Sequence, residues 1–130
     1  MSGTVTIEIA PGELIDKITI LEIKSERMSD PDKVANVCIE LETLATSRDA
    51  AIETSDEMTR LTAALKAVNV ELWEIEDDIR DCERNGDFGP KFIELARAVY
   101  HTNDKRAALK REINVFLGSR LVEEKSYQPY

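Results

Sequence analysis

Residues 58–90 read MTRLTAALKAVNVELWEIEDDIRDCERNGDFGP, and the spacing of their apolar side chains decides the fold. Leu61, Leu65, Val68, Leu72, Ile75, Ile79 and Cys82 recur at steps of four and three. That is the seam of a helix lying nearly antiparallel against a partner. Asn85-Gly86 stops the pattern, because both residues tolerate the left-handed conformation that closes a helix. Gly89-Pro90 then opens the next helix, where proline is tolerated at the first position. The spacing predicts helices over 58–84 and 90–117, the second with Phe92, Leu95, Val99, Leu109, Ile113 and Leu117 on its apolar face and Gly118 as its stop. At 1.5 Å per residue each is about 40 Å long, so together they make a long antiparallel hairpin. Charge supports the pairing: 58–84 holds 7 acidic and 4 basic side chains, and 90–117 holds 3 acidic and 6 basic.

Upstream, Ser29-Asp30-Pro31 is a break followed by a helix start, with Asp30 as the cap. A second helix is expected over 31–50, its buried face marked by Val34, Val37, Leu41 and Leu44, with a connecting loop at 52–57. The first helix, expected over 12–28, is apolar on two sides: Leu14, Ile18 and Leu21 form one stripe, and Ile20 and Ile23 the other, with Asp16 and Arg27 nearby. It needs cover on both flanks, as the middle layer of the domain or in a subunit interface, and a homodimer through this helix is the expectation. Thr4 to Ile9 alternates polar and apolar residues, which predicts a short strand over 4–9 that pairs with the tail or a symmetry mate, or lies across the helices. The fold expected is all-α, four helices as two antiparallel hairpins with one short N-terminal β-strand, in a single domain over 1–130 whose tail is 119–130.

A chain of 130 residues is enough for one core and too short for two ordinary domains. With 26 acidic against 17 basic residues and a net charge of −9, the protein is acidic, and nucleic-acid coating and attraction to anionic membranes are disfavoured. No apolar run is long enough to span a membrane and no signal peptide is legible, so a cytoplasmic location without membrane insertion is the expectation. Cys38 and Cys82 are far apart, without a CxxC, and His101 is the only histidine, which is neither a zinc nor a disulfide pattern. Both cysteines are expected to act as small buried hydrophobes, and His101 falls on the outer face of its helix.

The chemistry-bearing residues converge on the long hairpin. Arg106 projects from the centre of the fourth helix's apolar sector, with Asn103, Lys110 and Asn114 along one edge. Asn69 and Glu76 lie along the edge of the facing seam. Counting back from the turn puts Asn69 level with Lys105 and Glu76 level with Ala98, which brings Asn69, Glu76, Thr102, Asn103 and Arg106 together. One reading is a small polar pocket in which Asn69, Asn103, Arg106 and Lys110 bind phosphate or carboxylate and Glu76 is the candidate catalytic acid or base. The other is an interhelical salt-bridge network that fixes register. Glu74 and Asp77, spaced with Glu71, Asp78 and Asp81, are weak candidates for magnesium, since carboxylates three or four apart share a face. They lie away from the seam, where Arg80 and Arg84 can pair with them, and no cofactor is otherwise expected. Trp73 also lies off the seam and reads as core or interface.

The stretches GELIDKITILEIKSER (12–27), NVELWEIEDDIR (69–80), FIELARAVYHTNDKRAALKREIN (92–114) and EEKSY (123–127) resemble a family of small bacterial and phage proteins catalogued as a domain of unknown function. The resemblance covers nearly the whole chain and implies no activity. The run from Asn69 to Arg80 is also similar to a second uncharacterised family found beside glycosyltransferases of surface-polysaccharide synthesis, which implies an accessory role there. The first helix resembles that of all-helical chorismate mutases. Those enzymes need an arginine near its start, where this chain has Ala10 to Glu13, and a lysine well beyond Arg27, where Lys33 comes too early, so the comparison supports the fold alone. Two functions are carried forward: a non-catalytic interaction or scaffold module, or a small enzyme or binder of an anionic, phosphorylated or nucleotide-linked metabolite at Arg106.

Overall fold

The computed structural model describes residues 3–130. It contains α1 (Pro11–Arg27), α2 (Pro31–Ala51), α3 (Asp56–Arg84) and α4 (Pro90–Phe116), and no strand forms among the described residues. The strand expected over 4–9 is therefore corrected: the segment is extended but joins no sheet, and its Glu8 is ion-paired to Arg120 beyond α4. Alternation alone cannot make a strand where no second strand supplies the ladder.

The helix ends follow local chemistry. Asp30 caps α2, its carboxylate accepting the Asp32 and Lys33 N–H groups. Ser55 caps α3 by accepting the N–H of Met58, so this helix starts two residues earlier than its apolar pattern shows. Gly86 and Gly118, at φ 65° and 66°, close α3 and α4; after each, the next N–H reaches back to the helix, Asp87 to Cys82 and Ser119 to Asn114, both at 2.9 Å. Ala10, ahead of α1, offers no side-chain cap. The Gly12 N–H instead donates to Asn114 Oδ1 of α4 at 2.8 Å. Glycine is required there because a Cβ would meet the Lys110 carbonyl oxygen and lie 2.9 Å from Asn114 Oδ1.

The hairpin of α3 and α4 forms one layer, α1 lies on it, and α2 packs against α1 alone. Ile15, Met58, Leu61, Leu65 and Ile113 form the core, flanked by Ile52, Leu109 and Leu117. Each such buried side chain stabilises by about 1.5–3 kcal/mol. Helix α1 is the middle layer: Leu14, Ile15, Ile18, Leu21 and Ile23 are all buried within one chain. The cover that suggested a dimer through α1 is thus supplied by α2, α3 and α4. On α2 only Val37 is buried, and Cys38 beside it is exposed, against the expectation of a buried thiol; Cys82 is buried as expected. One covering helix shields one stripe of α2, and Cys38 falls outside it. Among the described residues, no helix is long and apolar enough to cross a membrane.

Candidate functional site

The core occupies the end of the hairpin where α1 begins. Beyond it, where the C-terminal half of α1 leaves α3 and α4 partly uncovered, a groove of about 280 Å³ opens, lined by Ile20, Asn69, Trp73, Glu76, Asn103 and Arg106 among others. The register arithmetic from the hairpin turn thus corresponds to a real juxtaposition of Asn69, Glu76, Asn103 and Arg106. Trp73 joins them instead of lying in the core. Thr102 is buried beside them on α4 without lining the groove.

A buried polar network supports the floor. Asn69 Nδ2 donates to Asp16 Oδ1 and to Thr19 Oγ1, both at 2.9 Å, and Thr19 Oγ1 donates to the Asp16 carbonyl at 2.8 Å. Asp16 and Asn69 are each 4% exposed, so this amide locks α1 onto α3 and leaves its own oxygen free to accept. Asp16 and Thr19 were missed from the sequence because both faces of α1 are apolar, and a polar residue there has no clear side. The signal was their spacing of three, which puts them on one face opposite Asn69.

Arg106 is half-buried, and none of the described residues gives it a hydrogen bond or ion pair. Its charge is felt by Glu13, whose carboxyl is held below its usual range chiefly by a bond from Lys110, with Lys17 and Arg106 adding to the effect. Lys110 sits a turn further along α4, 8% exposed, with its ammonium 2.7 Å from Glu13 and 3.0 Å from Glu123. Burial alone would ease its proton off. The bonds to Glu13 and Glu123 outweigh that and raise its pKa. Lys110 faces away from the groove, toward a neighbouring cavity of about 200 Å³ lined by Asn114 and Glu123.

Glu76 stands exposed on the groove's rim, bonded to Arg80 at 2.8 Å. Glu74 pairs with Arg27 of α1 at 3.4 Å, and Asp77 is exposed. Among the described residues, no group of three or more His, Cys, Asp or Glu side chains is placed to hold a metal ion.

The segment 119–130 runs back along α4. Glu123 pairs with Lys110 and Glu124 with Arg111, and the Tyr130 hydroxyl donates to Asp104. Between this segment and α4 lies an open cleft of about 1030 Å³, and Asn103 and Arg106 line both this cleft and the groove. Its walls carry Tyr100 of α4 and Tyr127 and Tyr130 of the segment, the last two in a stretch without helical periodicity. His101, on the outer face, contacts the Tyr130 ring at 4.5 Å between centroids.

This arrangement is a half-buried cation without a partner among the described residues, flanked by an amide and an indole, where the groove meets the cleft under segment 119–130. No curated protein and no solved structure matches the chain. The model of the family described as "Family of unknown function (DUF6165)" matches residues 5–130, and the chain belongs to that family.

Proposed function

We propose that the protein binds a small anionic molecule in the groove between α1, α3 and α4, with Arg106 as its charge anchor. The observation that carries this is Arg106 itself: a half-buried guanidinium that no described residue pairs, opening on both the groove and the cleft. Removing such a group from water without a partner costs free energy, and a phosphate or carboxylate offers the bidentate acceptor that offsets it. Asn103 supplies amide donors, the Asn69 oxygen accepts from a ligand hydroxyl or amine, and Trp73 offers an apolar face. The test is the thermal midpoint in inorganic phosphate against chloride at matched ionic strength. Phosphate should raise it in wild type and not in Arg106→Leu. Equal shifts in both proteins, or none in either, would reject the reading.

A second reading, an interaction module, is supported by Val5 and Ile7, which are 85% and 70% exposed at alternate positions of the extended N-terminal segment. Apolar side chains left uncovered at neighbouring positions offer a contact surface to a partner. Light scattering on wild type and on Val5→Asp/Ile7→Asp tests its simplest form: concentration-dependent association that the double substitution abolishes supports it, and a monomer throughout rejects it.

A further inference from the structure

We infer that the ligand of the Arg106 site carries an aromatic ring beside its anionic group, and that segment 119–130 supplies the surface for that ring. The inference rests on the anion-binding reading above and adds the class of molecule.

The cleft under the segment, at about 1030 Å³, is far larger than one phosphate group requires and reaches the size of sites for drug-sized ligands. Its charge is sorted. The lining carries two cations, Arg106 and Lys125, against one carboxylate, Asp104, which accepts from the Tyr130 hydroxyl, and Lys125 also lies 4.0 Å from Glu123, so Arg106 is the cation that no described residue pairs. Its walls are aromatic. Tyr130 is held by that bond and by ring contacts to His101 and to Tyr100, at 4.5 and 5.2 Å between centroids. Tyr127 carries the Lys125 ammonium 5.7 Å from its ring centre.

Despite this anchoring, Tyr127 and Tyr130 remain 80% and 73% exposed, so most of their ring surface is turned to solvent. Burying a tyrosine ring stabilises a fold, yet this segment is pinned mainly through charge, by Glu123 on Lys110 and Glu124 on Arg111. Exposed rings lining one cleft with a guanidinium that no described residue pairs match a planar ring attached to an anion: the anion goes to Arg106 and the ring stacks on tyrosine. The same chemistry is presented by a simple aryl phosphate and by a nucleoside monophosphate, whose base is the ring.

The single tryptophan, Trp73, lines the adjoining groove and gives a built-in fluorescence reporter. The 130-residue chain is titrated with inorganic phosphate, phenyl phosphate and adenosine 5′-monophosphate, with calorimetry alongside. An aromatic phosphate should bind at least about tenfold tighter than inorganic phosphate, in line with one stacked ring. The tighter of the two identifies whether a nucleotide base or a simple aryl group is preferred. Tyr127→Ala should narrow the ratio between aromatic and inorganic phosphate affinity, and Tyr127→Phe should keep it. Tyr127 is exposed, so neither substitution threatens the fold.

If all three probes bind equally and Arg106→Leu abolishes all of them, the ring preference is overturned and the anion site stands. If the advantage survives Tyr127→Ala combined with Tyr130→Ala, the segment's role is overturned. If no probe binds, the anion-binding reading falls and this inference falls with it.

Discussion

The N–H of Gly12 donates to the side-chain oxygen of Asn114 at 2.8 Å, so the first turn of α1 is capped by a residue of α4, 102 positions away. A local cap belongs to its own helix. This one exists only when the fold is complete, and Gly12 leaves no room for a Cβ between the helices. Asn114→Ala should cost about 0.5–2 kcal/mol, the range of a lost N-cap. Gly12→Ala should cost about 1–3 kcal/mol through overpacking. Urea unfolding of both single variants and the double variant checks this; the double variant should cost less than the sum, because either change alone already breaks the contact.

Asn69 should prove structural as well as ligand-facing. Asn69→Leu leaves the buried Asp16 carboxylate and Thr19 without their donor and should lose about 1–3 kcal/mol. Asp16→Asn should lose less, since a second amide can turn its oxygen to Asn69. Denaturant midpoints decide between them, and equal losses would contradict this account.

Arg106 and Lys110, four residues apart on one helix, should behave in opposite ways. Lys110→Met strands Glu13 and frees Glu123, and should cost about 1–3 kcal/mol. Arg106→Leu breaks no hydrogen bond or ion pair among the described residues and should leave stability within about 0.5 kcal/mol of wild type, or above it. A large loss for Arg106→Leu would mark it as part of the framework.

The Glu13–Lys110 pair sets a pH window. The Glu13 carboxyl titrates lower when folded than unfolded, so its contribution is full above its ordinary value of 4.5 and is lost as pH falls through the lowered one. Lys110 titrates higher when folded, so its contribution is full below 10.5 and is lost as pH rises through the raised value. The stability difference between wild type and Glu13→Gln should be constant near neutrality and shrink on acidification below pH 4.5. A difference that is flat through that range would show the pair to be inert.

The hairpin was legible because Leu61 to Cys82 repeat with a single period, and two facing periodic helices have a countable register. That register put Asn69, Glu76, Asn103 and Arg106 in one groove. Three features were hidden, each for a different reason. Asp16 and Thr19 sit on a helix with two apolar faces, where a projection gives no inside. The tyrosines at 127 and 130 lie in a segment with no period, placed by ion pairs from Glu123 and Glu124 to α4. The strand over 4–9 failed because alternation describes one strand and is silent on whether another exists to pair with it.

Helix α1 leaves one more consequence. It is made before α2, α3 and α4, yet the groups it needs, Asn69 and Asn114, are 53 and 102 residues downstream of their partners. During synthesis its two oily faces have only α2 for company until the hairpin arrives. The α3–α4 pair, built from neighbours in sequence, can assemble quickly, whereas docking α1 means closing long loops, which slows a chain of otherwise local contacts. The segment that ends up at the centre of the protein is therefore the one that must wait longest for its place.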